Sequence, residues 1–168
     1  MTETLYIIIS AIFDLIVGTL IAFAAFDDGK TRIVRPSIQW ALLGTATAHF
    51  LFMLYTAYWG NIPELVIPWD AWELLVSGVL MFTIYITLVL VFKTGIGGAD
   101  TKVSSIMALY LGILPSIIMV VGHFVSAIIY VVYEKIRHHK HIASVPLMVF
   151  IGIGYIIALA IKWITFFI

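Results

Sequence analysis

The sequence predicts an all-α polytopic membrane protein: a bundle of six transmembrane helices, the fourth of them short, with the N-terminus and the C-terminus outside. Three observations carry this. Of 168 residues, 63% are hydrophobic and 11% are charged, about half the charged share of a soluble domain. The apolar residues fall in runs of spanning length, since a hydrocarbon core about 30 Å thick takes roughly 20 residues at 1.5 Å each. When the runs are threaded back and forth, eight of the nine basic residues fall on one side.

The first run, residues 4 to 26, is interrupted only by Asp14. The residues before it include Glu3 and no base, the wrong charge for the start of a cleaved secretory signal, so the run is expected to belong to the mature protein. Residues 38 to 59 are uncharged, and residues 72 to 92 carry Glu73 at their edge. Residues 103 to 114 end at Pro115 and are too short for a comfortable span, which leaves a re-entrant segment or a thinned part of the bundle open. Residues 116 to 133 and 144 to 168 complete the set, the last with Lys162 as its only charge.

If all six cross, the segments 27 to 37, 93 to 102 and 134 to 142 share a face holding Lys30, Arg32, Arg35, Lys93, Lys102, Lys135, Arg137 and Lys140. The opposite face receives the N-terminus, the loop near 60 to 71 and the turn at 112 to 116, which carry Glu3, Glu64 and Asp70 and no base. The positive-inside rule then puts the basic segments in the cytoplasm. Trp59, Trp69, Trp72 and Trp163 fall near outer ends, as an interfacial belt requires, and Lys162 is expected to snorkel. No internal repeat, low-complexity segment or long linker divides the chain, so residues 1 to 168 read as a single transmembrane domain.

Composition excludes several functions. Nine bases balance nine acids, so no net charge recruits nucleic acid. The absence of cysteine excludes disulfides, thiolate catalysis and Cys-ligated zinc.

Charges in or beside membrane helices are costly and therefore functional candidates. One group is Asp27-Asp28-Gly29-Lys30-Thr31-Arg32 after the first run; another is Gly95-Ile96-Gly97-Gly98-Ala99-Asp100-Thr101-Lys102 before the fourth. Two crossings separate them, so both acids return to one interface, where two carboxylates can form an aspartic dyad. Glycines beside Asp100 permit close backbone approach. Asp100 also reads as a helix N-cap and Asp28-Gly29 as a turn. The glycine stretch lacks the Gly-Lys-Ser/Thr ending of a phosphate loop.

The pair Asp28-x-Lys30-Thr31-Arg32-x-Val34 and Gly97-Gly98-Ala99-Asp100-x-Lys102 resembles the type IV prepilin peptidases and archaeal preflagellin peptidases, the GxGD-type intramembrane aspartyl proteases of the type IV pilus and the archaellum. The resemblance implies Asp28 and Asp100 as catalytic, with Lys30, Arg32, Gly97, Gly98 and Lys102 binding substrate or supporting the motifs. Ala99 stands where the family has its glycine, and Pro36 lies displaced from the usual proline. With no Cys and a short first loop, the chain resembles the peptidase-only form. The implied activity is cleavage of a short basic leader from prepilin-like or preflagellin-like membrane precursors at the cytoplasmic face of the cell membrane. Neither cofactor nor metal is expected, and the expected partners are those precursors and membrane lipids. Lys30, Arg32 and Lys102 either hold the aspartates or meet lipid.

A third group, Asp14, His49 and His123, lies near mid-helix in its runs. Asp14 stands fourteen residues from Asp28, about 21 Å along a helix, too far to share its site. The group is either a buried structural hydrogen bond or a proton relay, and the relay belongs to an alternative function, a small proton-coupled transporter. His138, His139 and His141, among Lys135, Arg137 and Lys140, read as a polar turn against anionic head groups rather than a zinc site.

Overall fold

A computed structural model of the chain describes residues 3–31, 33–60, 68–92, 98–138 and 146–167. They form α1 (Glu3–Thr31), α2 (Pro36–Trp59), α3 (Pro68–Phe92), α4 (Gly98–Leu111), α5 (Ile113–His138) and α6 (Leu147–Phe167). All but α4 are long and apolar enough to cross a membrane, which makes the chain a helical membrane protein by length and composition. Exposed Leu15, Leu90 and Ile128 belong to an outer surface suited to lipid rather than water.

Side-chain contacts fix how the helices alternate. Tyr6 near the start of α1 stacks on Phe52 in the second half of α2. The last turn of α1 meets the first residues of α6 through Asp28 and Met148, and Tyr130 of α5 lies 5.5 Å from Phe150 of α6. One end of the bundle therefore gathers the end of α1, the starts of α2, α4 and α6 and the end of α5. Lys30, Arg35, Lys102, Lys135 and Arg137 all sit at this Asp28 end.

The shortest helix is the inner one. α4 packs against α2, α3, α5 and α6, and Thr101, Val103, Ser104, Met107, Ala108, Tyr110 and Leu111 are buried. Fourteen residues reach only about 21 Å, less than a bilayer core. Helix–helix rather than helix–lipid contact explains why its sequence carries Ser, Thr and Tyr.

The sequence places the turn after α4 within residues 112 to 116, and the chain turns at the first of them, Gly112, whose φ of +85° suits glycine and strains other residues. The Gly112 N–H reaches the Ala108 carbonyl. Glu73 of α3 accepts the Ile113 N–H at 2.8 Å, capping α5 from a distance. Pro115 then falls in the first turn of α5, where no intrahelical N–H is needed. α1 also runs past residue 26, because helical hydrogen bonding continues through Asp27 and Asp28 after the apolar run ends.

Close packing of α5 on α6 depends on glycine. A Cβ on Gly154 would stand 2.3 Å from the Met119 carbonyl oxygen, and one on Gly122 would stand 3.2 Å from the Gly154 Cα. This is the small-residue contact that membrane helices use to bring backbones together.

Candidate active site at the Asp28 end

The buried residues of α1 recur every third or fourth position: Tyr6, Ser10, Asp14, Val17, Ile21, Ala24 and Asp28. Helical geometry puts them on one stripe, and Asp28 is its last member. The side chain is 7% exposed. Its Oδ2 accepts the Met148 N–H at 3.0 Å, so the carboxylate meets the start of α6, where unpaired amides and the helix dipole favour negative charge. Asp28 is thus in the last turn of α1 rather than in a turn beyond it.

Asp27 lies one residue off this stripe. Arg35 Nε donates to its Oδ2 at 2.6 Å and Nη2 to its Oδ1 at 3.0 Å. That bonded carboxylate holds the Arg35 guanidinium above its ordinary, already high pKa, so Arg35 keeps its charge. The pair pins the connection between α1 and α2, where Val34 is buried, Gln39 donates to the Val34 carbonyl and Pro36 opens α2.

Asp100 is in the first turn of α4 instead of capping it, because the helix already begins at Gly98. It is half-buried and stands at helical spacing from buried Val103, Ser104, Met107 and Leu111, hence on the face of α4 that points into the bundle. No Cα atoms of α1 and α4 approach within 8 Å, so the backbones carrying Asp28 and Asp100 do not touch. Beneath them lies one apolar cluster containing Ala24, Val103, Met107 and Met148, with Ala99 packed against it.

Lys30 is exposed, its Nζ 5.9 Å from the Phe26 ring centroid. Gly98 is exposed, and a Cβ there would meet nothing within 4 Å. Lys102 projects from α4 away from the Asp100 face, into a recess shared with α2 and α3. Arg32 and Gly97 lie outside the described residues, as do Lys93, Glu64, His139, Lys140 and His141.

The intramembrane group is rearranged relative to expectation. Asp14 accepts hydrogen bonds from Tyr110 of α4, from Trp163 Nε1 at 2.9 Å and from Lys162 Nζ at 3.1 Å, while Tyr155 donates to its carbonyl. Lys162 therefore pairs with Asp14 across the bundle instead of snorkelling. His49 stacks obliquely on Tyr110 with ring centroids 4.5 Å apart, so it is a neighbour of the pair. His123 is elsewhere, its Nδ1 3.2 Å from the Tyr85 hydroxyl. A cavity of about 110 Å³ between Tyr6, Ser10, His49, Tyr110, Lys162 and Trp163 adjoins the pair. One signal was available: Asp14 and Lys162 are each the only charge of their own run, one an acid and the other a base, and charges in a membrane pair with one another.

No protein-family model, curated protein or solved structure matches the chain.

Proposed function

We propose that the chain is a membrane aspartyl endopeptidase in which Asp28 and Asp100 form the catalytic dyad, cleaving the basic leader of prepilin-like or preflagellin-like precursors at the cytoplasmic interface. The observation that carries this reading is the burial of Asp28 at the basic end of the bundle, with Asp27 diverted to Arg35 and Asp100 on the inward face of α4 at the same end. In the dyad one carboxylate takes a proton from water as it attacks the scissile carbonyl, and the other, protonated, donates to the carbonyl oxygen. The tetrahedral intermediate then collapses, breaking the C–N bond as the leaving amine takes up a proton.

A groove on the outer surface of α1 and α6 also supports this reading. Its lining includes the small residues Ala11, Gly18, Ala22, Ala25 and Gly152 among larger apolar ones such as Leu15 and Ile156, and it ends within a turn of Asp28. Small residues of this kind let a further apolar helix lie close, and such a helix would bring its cytoplasmic end to Asp28.

The transporter alternative through Asp14, His49 and His123 loses its third residue, since His123 bonds Tyr85, and its acid is matched by Lys162. Co-expression with a candidate pilin precursor, followed by mass measurement of the precursor's N-terminus, tests the proposal. A shortened precursor is the expected result. An intact precursor together with proton-coupled uptake into vesicles would favour the transporter.

A further inference from the structure

Off the Asp100 face of α4, helices α2, α3 and α4 border a recess of about 420 Å³ lined by Gln39, Trp40, Leu43, Phe82, Lys102, Ser105 and Ile106. Its chemistry changes along its length. α2 and α4 both start at the Asp28 end, so Gln39 and Lys102 stand near the mouth, while Leu43 and Ile106 lie deeper by roughly one turn of helix, about 6 Å. Lys102 is exposed and makes no ion pair among the described residues. Trp40, 71% exposed, stands at the rim, an interfacial position that suits its amphipathic ring.

We infer that this recess binds one anionic phospholipid, with the phosphate at Lys102 and Gln39 and the first part of an acyl chain against Leu43, Phe82 and Ile106. Charge selects the head group: the Lys102 ammonium at the membrane surface attracts a phosphate, and the second N–H of the Gln39 amide, whose first goes to the Val34 carbonyl, adds a donor. Size selects the tail. A helix, roughly 10–12 Å across, does not enter a space this small between three packed helices, whereas a single hydrocarbon chain does. The assignment rests on the recess alone and is independent of the peptidase proposal. It gives Lys102 a ligand other than the aspartates.

The test is native mass spectrometry of the full chain in non-ionic detergent, with phosphatidylglycerol or phosphatidylcholine of matched chains added. Phosphatidylglycerol should be retained about fivefold better, the preference expected of one lysine at the surface. Lys102→Gln should remove the preference and Lys102→Arg should keep it. Lys135→Gln, an equal charge loss elsewhere at the same end, should leave it intact. Ser105→Trp, which fills the recess without touching the charge, should reduce retention of both lipids, and circular dichroism checks that each variant is folded. Unchanged retention in a folded Lys102→Gln or Ser105→Trp variant would overturn the assignment. So would displacement of the lipid by inorganic phosphate alone, or a basic-leader peptide whose binding, rather than the lipid's, depends on Lys102.

Discussion

The Asp28 carboxylate accepts the backbone N–H of Met148 at 3.0 Å, joining the last turn of α1 to the first residues of α6 across 120 positions of sequence. A carboxylate so placed caps α6 and also stands at the end of the buried stripe of α1. The two roles separate by substitution. Asp28→Asn keeps an oxygen that can accept the same N–H, whereas Asp28→Ala leaves the amide without it. The alanine variant should lose about 1.5–3 kcal/mol of stability, and the asparagine variant clearly less, in thermal melts of detergent-purified protein.

Asp14 and Lys162 should behave as a coupled pair. The Asp14 side chain is 6% exposed and the Lys162 side chain 30%, so removing one partner strands the other away from water. Lys162→Met alone is expected to cost about 3–5 kcal/mol. The double variant Asp14→Leu with Lys162→Met should recover part of that loss, and a double-mutant cycle on melting temperature reads the coupling.

Gly154→Ala should loosen α5 from α6. The added Cβ would stand 2.3 Å from the backbone oxygen of Met119, which has no rotamer to turn away. Overpacking of this kind costs typically about 1–3 kcal/mol. Gly44→Ala is the control, because a Cβ there meets nothing within 4 Å.

The turn between α4 and α5 depends on Glu73 and Gly112 together. Glu73→Ala should cost about 0.5–2 kcal/mol, the range for a lost helix cap, while Glu73→Gln retains an acceptor and should cost less. Gly112→Ala meets both a positive φ and the Glu73 carboxylate, 3.2 Å from its Cβ, so it should be worse than Gly44→Ala by the same melt.

Much of the fold was legible because its information is local. Apolar runs located six helices, and the short fourth run was visible as such. The turn after it was legible to within residues 112 to 116, but its exact residue was not, because the φ of Gly112 and the remote cap from Glu73 are tertiary facts. At the candidate site the spacing from Asp28 to Lys30 was legible, but the partners of Asp27, Asp28 and Asp14 were not. Arg35 follows Asp27 closely enough to suggest a pair. Met148 contributes only a backbone amide, which every residue but proline carries, so no side-chain pattern points to it. His123 misled because equal depth in two helices does not put two residues on facing sides.

The central claim is that Asp28 and Asp100, and not Asp27, carry peptide-bond cleavage. The most direct measurement is the mass of a prepilin-like precursor incubated with the purified full chain and with its Asp27→Asn, Asp28→Asn and Asp100→Asn variants, each checked for folding by thermal melt. The account predicts leader loss with the wild type and with Asp27→Asn, and none with folded Asp28→Asn or Asp100→Asn. Cleavage that persists in either of those two variants, or that disappears in Asp27→Asn alone, would contradict it.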